Sequence, residues 1–385
     1  MENGKKKILM VLTGGTICSV INGTVKVQGA GTGTVLESAF RSSGSVFGDD
    51  VSFECTENYG IFSENMTVEK WNFLLAKLRG SAAIRDTAAS RGSYKSLKGK
   101  KAEKPENVFD GIIILHGTDT LAYSAALFSV LMRDMGVPVF LVSSNESLEK
   151  DSANGKANFI TAVECICMGI KPNVYVTYKN GKRMYLHLAS RLTQCRNYDD
   201  KFYSKGMVNI TDITPETAEK YFKKLKTAKR SSADGTLAVD MFAKWQLKNA
   251  VLKIEPYTGL DYSRISLAGV MAVLHGTYHS GTVCSEATDD CPQYGTDSIL
   301  TLLDRCKKIP VYIAPADLSG ITYDTVPVIL KHKADGVYFV NGFTNEMAYI
   351  KLLVANSYPP LKNRVNEFTA SEYNGEKVDK ITFYP

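Results

Sequence analysis

The apolar residues in the first two hundred positions are gathered into short, unbroken runs. The four clearest runs are Ile8–Leu12, Gly111–Leu115, Val139–Val142 and Val174–Tyr178. Strands that are apolar on both faces are typical of parallel sheets covered by helices on both sides. Stretches of helical length lie between them at Val68–Leu78, Ala122–Asp134 and Asn158–Met168. The alternation predicts an α/β fold with a larger, doubly wound, mostly parallel sheet in residues 1–205.

The alternation is interrupted by residues 206–247. The segment Thr214-Pro-Glu-Thr carries helix-capping chemistry and opens a charged, amphipathic stretch, so we interpret 206–247 as a connector. Strand patterns return afterwards at Ala250–Ile254, Gly269–Leu274, Val311–Ala314 and Val337–Val340. Helical patterns near 296–306, 324–333 and 344–355 separate them. We therefore predict a smaller C-terminal α/β domain over residues 248–385.

Composition favours a soluble protein of the cytoplasm. The chain has 385 residues, 44% hydrophobic and 22% charged, and contains no apolar run near the ~18 residues that a membrane span requires. The lysines at 5–7 precede an apolar run of only five residues, shorter than the ~7–15 of a signal peptide. We interpret that run as a buried first strand, and we expect no membrane association.

Charge and cysteine usage exclude two further classes. The net charge is +6, but the lysines form no stripe with interleaved aromatic residues, so we expect no nucleic-acid partner. None of the eight cysteines forms a Cys-x-x-Cys pair, and there are only five histidines. No cluster has the converging ligands that a zinc site needs. We predict reduced thiols, no metal and no organic cofactor.

The first strand ends in Thr13-Gly14-Gly15-Thr16-Ile17. Two glycines followed by a hydroxyl residue can form a tight turn that exposes backbone N–H groups and presents a side-chain hydroxyl. Such a turn suits stabilisation of an oxyanion. The alternative is that the glycines only let the strand reverse its direction.

The run Gly111–Leu115 is followed by His116-Gly117-Thr118-Asp119-Thr120. A helix begins at once. One alternative is therefore that Thr118 or Asp119 is simply the N-cap of this helix and has no further role. Capping accounts for one polar residue, not for three beside a glycine. We therefore interpret Thr118 and Asp119 as ligand or catalytic groups at the carboxyl edge of the sheet. The histidine is interpreted as structural.

The two motifs together resemble the signature segments of the bacterial-type L-asparaginases. The likeness extends over most of the chain, through Phe62–Thr67, Ser152–Gly155, Asp200–Phe202 and, more loosely, Phe343–Ala348. The resemblance implies hydrolysis of a side-chain amide without a cofactor. It also implies a homodimer or homotetramer in which Tyr278–Ser280 could reach a neighbouring subunit's site.

The resemblance implies a role for each matching residue. Thr16 matches the nucleophile that forms an acyl-enzyme. Thr118 and Asp119 match the residues that assist activation and hold the substrate's α-amino group. Ser63 and Glu64 match residues that bind its α-carboxylate and amine. Gly15 and Gly117 supply the substrate-facing turns.

One catalytic position departs from the family. A lysine is expected after the fourth strand, and a gap-free count from Tyr178 places Arg191 there, with Ser190 before it. Counting back from Phe202 reaches Thr193, and neither count finds a lysine. Arginine keeps the positive charge but cannot act as a neutral base. Lys179 or Lys182 would supply an amine only if the loop were rearranged.

Three functional hypotheses follow. The first is an L-asparagine amidohydrolase that releases ammonia and aspartate through Thr16, with activity reduced by Arg191. The second is an asparaginase-like protein that acts weakly or on another amide, or only binds an amino acid. The third is an amidotransferase-type protein that supplies ammonia for tRNA-bound amino acids.

Overall fold

The structure is a computed structural model that describes residues 5–22, 25–29, 31–81, 84, 108–225, 242, 246–286, 294–316, 325–372 and 377. Contacts divide the chain into two compact units, whose main segments are Met1–Trp245 and Gln246–Glu372. None of the helices in these ranges is long and apolar enough to cross a bilayer.

The strands and helices of the first unit alternate as the apolar runs predict. Its strands are β1 (Lys6–Leu12), β2 (Ser19–Asn22), β3 (Val25–Gln28), β4 (Val51–Cys55), β5 (Gly111–Leu115), β6 (Val139–Val142), β7 (Val174–Asn180), β8 (Arg183–Leu188), β9 (Leu192–Thr193), β10 (Tyr203–Ser204) and β11 (Val208–Asn209). Its helices include α1 (Thr32–Arg41), α2 (Val68–Gly80), α3 (Leu121–Leu131), α4 (Gly155–Cys167) and α5 (Ala218–Lys223).

Seven strands form the main sheet, in the order β11-β8-β7-β6-β5-β1-β4. Five neighbouring strands of this sheet, β4, β1, β5, β6 and β7, are parallel to one another. Strands β8 and β11 are added at one edge in antiparallel pairing. The strands that follow β1 in the chain are added first on one side of it (β4) and then on the other (β5 to β7). In such sheets ligands bind at the carboxyl ends of the two strands where the order changes, here β1 and β5. The predicted larger, doubly wound, mostly parallel sheet is confirmed.

Burial explains why these strands are continuous apolar runs. Every residue of β5 and β6 is buried. One face of the sheet packs against α1, α4 and α5, where Phe40 meets Phe53 edge-on at 5.7 Å. The other face lies beneath α3, a helix in which ten residues are buried. A buried aliphatic or aromatic side chain of this kind stabilises the fold by about 1.5–3 kcal/mol.

The second unit contains a four-stranded parallel sheet in the order β12-β13-β14-β15. Its elements are β12 (Val251–Ile254), β13 (Ala272–His275), α6 (Ile299–Arg305), β14 (Val311–Ile313), α7 (Thr325–His332), β15 (Val337–Phe339), α8 (Asn345–Ser357) and α9 (Val365–Ala370). The predicted smaller α/β domain has this architecture, although β13 begins at Ala272 rather than at residue 269.

The predicted connector of residues 206–247 is revised over its described part. Strand β11 pairs with β8 of the main sheet, and Tyr221 and Phe222 of the α5 region pack against the core of the first unit. A hydrogen-bonded turn precedes α5, with Thr217 N donating to Thr214 O over 3.1 Å. The helix therefore starts at Ala218 rather than at Thr214. Residues 226–241 and 243–245 of the prediction lie outside the described residues.

Candidate active site

The turn after β1 depends on both of its glycines. Gly14 has φ 125° and Gly15 φ 78°, a region that side-chain-bearing residues rarely adopt. A Cβ on Gly14 would lie 2.3 Å from the carbonyl oxygen of Ile61. A Cβ on Gly15 would lie 2.3 Å from the Cα of Gly117. The two strand-end motifs predicted from the sequence therefore meet backbone to backbone.

Thr16 begins the 3-10 turn that follows. The turn is closed by Cys18 N, which donates to Gly15 O over 3.0 Å, and by Ser19 Oγ, which donates to the same oxygen over 2.7 Å. The Gly14 N–H bonds to the Cys18 thiol. Within the described ranges, neither the Thr16 hydroxyl nor the N–H groups of Gly15 and Thr16 form a hydrogen bond. The turn thus combines a hydroxyl with donors that are not yet engaged, the combination that an acyl-transfer centre needs.

A β-hairpin follows this turn, made by β2 and β3. Ile21 N donates to the Glu149 carboxylate over 2.8 Å, and Ser147 Oγ donates to Ser19 O over 2.9 Å. The segment after the glycine turn is therefore paired with itself and bonded to residues 147–149.

Ser63 lies between the two turns and Asp119. It is buried, and its Oγ donates to Asp119 Oδ2 over 3.1 Å. Asp119 N in turn donates to Ser63 Oγ over 3.2 Å. A Cβ on Gly117 would lie 2.3 Å from Ser63 Oγ. The structure therefore brings Gly15, Ser63, Gly117 and Asp119 close together.

His116 has a structural role. Its Nδ1 bonds to Gly117 O at 2.8 Å, and its Nε2 to Ser124 Oγ at 2.9 Å. Trp71 Nε1 donates to the same hydroxyl over 3.0 Å. Complete burial lowers the pKa of His116 despite the opposing effects of Gly117 and Asp119. The neutral ring links β5 to α2 and α3 beneath the site.

Thr118 and Asp119 line a cavity of about 440 Å³. Its remaining walls come from Tyr178 and from residues 194–200 and 202. Tyr178 is buried, and its hydroxyl forms no hydrogen bond of normal length with the described residues. Burial raises the pKa of Tyr178, an effect that the nearby Asn154 side chain opposes. The phenol is therefore neutral and is available to a ligand.

Gln194 is the residue at this site that sequence reasoning missed. Its Nε2 donates to Thr118 O over 2.8 Å, and its Oε1 accepts from Ala122 N over 3.2 Å. The only sequence signal for Gln194 was the count back from Phe202, which reached the adjacent Thr193. Gln194 thus places a neutral amide against the main-chain carbonyl of Thr118, one position beyond Thr193, the residue near which the second count puts the expected lysine.

The remaining predicted residues do not line this cavity. Arg191 ends a 3-10 turn, and its guanidinium is 3.3 Å from the position that a Cβ on Gly206 would occupy. Arg191 is not among the described residues that line the cavity. Lys179 lines a second cavity of about 310 Å³. Lys182 and Glu64 are exposed. No group of three metal-binding side chains is found within the described part of the chain.

In the second unit, β13 ends at another buried histidine before a glycine. His275 bonds to Gly276 O at 2.6 Å and to the Tyr262 hydroxyl at 2.8 Å. Tyr278, in the loop beyond, is 40% exposed. Whether Tyr278–Ser280 reaches another protomer stays a prediction.

Comparison with known proteins matches residues 93–225 to the N-terminal domain of the asparaginase family. The D subunit of glutamyl-tRNA(Gln) amidotransferase from Thermococcus kodakarensis is 28% identical over 259 residues, which are 66% of this chain and 52% of the relative. Its counterpart of the same name from Methanosphaera stadtmanae is 25% identical over 98% of this chain and 78% of its own length. The matched region thus spans about half of the first relative and three quarters of the second.

Solved structures show the same fold. The thermostable L-asparaginase from Thermococcus kodakarensis superposes with a TM-score of 0.65 at 17% identity, covering 97% of this chain and 100% of that one. L-asparaginase I from Vibrio cholerae gives 0.62 at 18% identity, with the same coverage. Residues 93–225 thus match the asparaginase family, and the chain as a whole has the fold of the solved L-asparaginases.

Proposed function

We propose that this chain is an asparaginase-like amidohydrolase that acts on the side-chain amide of a small amino acid, with turnover weaker than a lysine-containing site would give. The observation that carries the proposal is the meeting of the Thr16 turn with Ser63 and Asp119 at the carboxyl ends of β1 and β5. These groups supply a hydroxyl nucleophile, backbone donors and a carboxylate at one place.

The proposed reaction has two steps. Thr16 Oγ attacks the amide carbon, and collapse of the tetrahedral intermediate forms an ester while the amide nitrogen takes up the hydroxyl proton and leaves as ammonia. Water then hydrolyses the ester, yielding a carboxylic acid and restoring Thr16. N–H groups of the glycine turn would stabilise the oxyanion, an effect of about 2.7–4 kcal/mol per donor in a comparable enzyme.

Substrate binding follows from the charges. Asp119 has no ion pair with a basic side chain in the described ranges, so its carboxylate can bind the substrate's α-ammonium group. Ser63 and the Tyr178 hydroxyl offer further hydrogen bonds. L-Asparagine is the first substrate to test, and L-glutamine the second.

The weakened turnover follows from Gln194. Its amide bonds to the main-chain carbonyl of Thr118, and an amide neither accepts nor releases a proton at neutral pH. General acid–base assistance is worth roughly 10²–10⁴-fold in rate, so a site without an amine keeps the reaction but loses speed. Gln194, rather than Arg191, is therefore the proposed cause of the altered activity.

Ammonia release from L-asparagine and L-glutamine tests the proposal. We expect slow, saturable release that Thr16→Ala abolishes. Thr34→Ala is the matched control, because Thr34 is exposed on α1. Equal rates of ammonia release by the Thr16→Ala and natural proteins would refute the assignment of Thr16 as the nucleophile.

A second candidate is an ammonia-supplying component of an amidotransferase, favoured by the name shared by the curated relatives. This candidate predicts that the chain restores conversion of glutamyl-tRNA(Gln) to glutaminyl-tRNA(Gln) in an extract depleted of it. The first candidate predicts a homo-oligomer that is active alone, which light scattering under assay conditions would detect. A monomer with full activity would argue against a site shared between protomers.

A further inference from the structure

Helix α3 starts with a capping arrangement that differs from the usual one. Thr120 occupies the N-cap position but makes no side-chain cap bond. Its hydroxyl donates instead to Ser63 O over 2.9 Å. The first N–H groups of a helix have no partner within the helix, so they need an acceptor from another part of the chain.

Gln194 supplies that acceptor. Its Oε1 accepts from Ala122 N over 3.2 Å, while its Nε2 donates to Thr118 O over 2.8 Å. One amide therefore bonds to the main chain on both sides of Asp119. The partners lie 72 and 76 positions away in sequence, so this cap depends entirely on tertiary structure.

The turn is thus held from two directions. Ser63 bonds to the main-chain N–H and the carboxylate of Asp119, and Gln194 bonds to the flanking peptide groups. Gln194 also begins the cavity loop, which we define as residues 194–202. This loop joins β9 to β10, which pair with each other, and it forms most of the cavity wall.

We propose that Gln194 is a positioning residue that holds Thr118 and Asp119 in their active arrangement and links them to the cavity loop. The catalytic consequence rests on the proposed function, whereas the clamp itself does not. A ligand that orders the loop also orders the Asp119 turn through this amide.

The clamp has a strict chemical requirement. It needs one donor and one acceptor on a single planar group at the end of a two-carbon side chain. Lysine only donates, ionised glutamate only accepts, and methionine has nearly the same length but neither function. Protonated glutamic acid has both functions and is close to isosteric with glutamine.

The experiment uses Gln194→Met and Gln194→Glu, with Gln246→Met as the matched control because Gln246 is exposed. Hydrogen–deuterium exchange of peptides covering residues 118–126 measures the clamp without any assay of activity. The kcat and KM for L-asparagine are measured from pH 4.5 to pH 8.

For Gln194→Met we expect faster exchange at residues 118–126 and kcat/KM lowered about 10- to 100-fold, since small misplacements of catalytic groups are costly. For Gln194→Glu we expect the ratio of its kcat/KM to that of the natural protein to rise as pH falls, because protonation restores the donor to Thr118 O. A residue that serves stability alone would change the melting temperature without giving this pH-dependent rescue.

Unchanged exchange in Gln194→Met would overturn the clamp. If the kcat/KM of Gln194→Glu relative to that of the natural protein does not change with pH, the role of Gln194 in catalysis is overturned. If the natural protein releases no ammonia, the proposed function fails, but the exchange result still decides the clamp. If Gln194→Met does not fold, exchange in Gln194→Glu at pH 4.5 and pH 8 decides it, with protection expected only at the lower pH.

Discussion

Gly15 and Gly117 approach each other so closely that a Cβ on Gly15 would lie 2.3 Å from the Cα of Gly117. They lie in the turns that follow the neighbouring parallel strands β1 and β5. Ser63 adjoins this contact, since a Cβ on Gly117 would lie 2.7 Å from its Cβ. The candidate nucleophile and the candidate substrate-binding carboxylate are thus attached to two turns that have no room for a side chain between them.

Gly117→Ala should destabilise the protein and impair the site together. The added methyl group would meet Ser63 Oγ at 2.3 Å and Gly15 Cα at 3.1 Å, and overpacking of this kind costs about 1–3 kcal/mol. Urea denaturation and ammonia release would both show the loss. Gly80→Ala is the control, because nothing lies within 4 Å of its added Cβ. Equal stability of the two variants would contradict the close contact.

Asp119→Asn should weaken ligand binding more than folding. The carboxamide keeps the size of the side chain and can still accept from Ser63 Oγ, but it removes the charge available to an ammonium group. A hydrogen bond to a charged group contributes about 1.5–3 kcal/mol, so KM should rise roughly 10- to 150-fold. The melting temperature should stay near that of Asp212→Asn, an exposed control. An unchanged KM would exclude Asp119 from the binding site.

Arg191→Lys distinguishes the two alignments of the expected lysine. If the gap-free count is correct, the new amine should raise turnover. The guanidinium instead lies beside Gly206, and Arg191 is not among the described residues that line the cavity, so we expect kcat to change by less than about twofold, as for substitutions away from such a site. A rise of tenfold or more in ammonia release would restore Arg191 to the catalytic machinery.

His187 should make the protein less stable in acid. It is fully buried, its Nδ1 bonds to Ser204 Oγ at 2.9 Å, and its Nε2 has no hydrogen-bond partner among the residues that the structure describes. Burial lowers its pKa from 6.5 to about 3. The folded state therefore keeps the ring neutral while the unfolded state takes up a proton below its pKa of about 6.5. Stability is present above that pH and is lost as pH falls towards 3.

The corresponding variant is His187→Gln. The natural protein should lose free energy of unfolding at about 1.4 kcal/mol per pH unit below pH 6.5 because of His187. Without this histidine, the loss between pH 7 and pH 5 should be smaller by about 2 kcal/mol. Urea titrations at the two pH values measure this, with His279→Gln at an exposed position as the control. An identical pH dependence in the two variants would contradict a neutral, buried His187.

The local sequence determined the central strands and the two motifs. Fully apolar runs such as Gly111–Leu115 can be buried only between two layers of helices, so they indicate a parallel sheet without knowledge of any partner. The glycines at 14 and 15 likewise indicate a turn that other residues cannot make. The pairing of the two motifs at one sheet edge follows, because parallel strands end on the same side.

Only the tertiary structure decided which residue bonds to the main chain at Thr118. Arg191, Thr193 and Gln194 lie within four positions of one another, in a segment of short turns and a two-residue strand. Such a segment has no hydrophobic period that fixes its register, so counting from either end gives a different answer. The contact with Gln194 depends on β9 pairing with β10 and on an amide reaching the start of α3. Bonds between residues more than 70 positions apart depend on how the chain packs, which local sequence pattern does not specify.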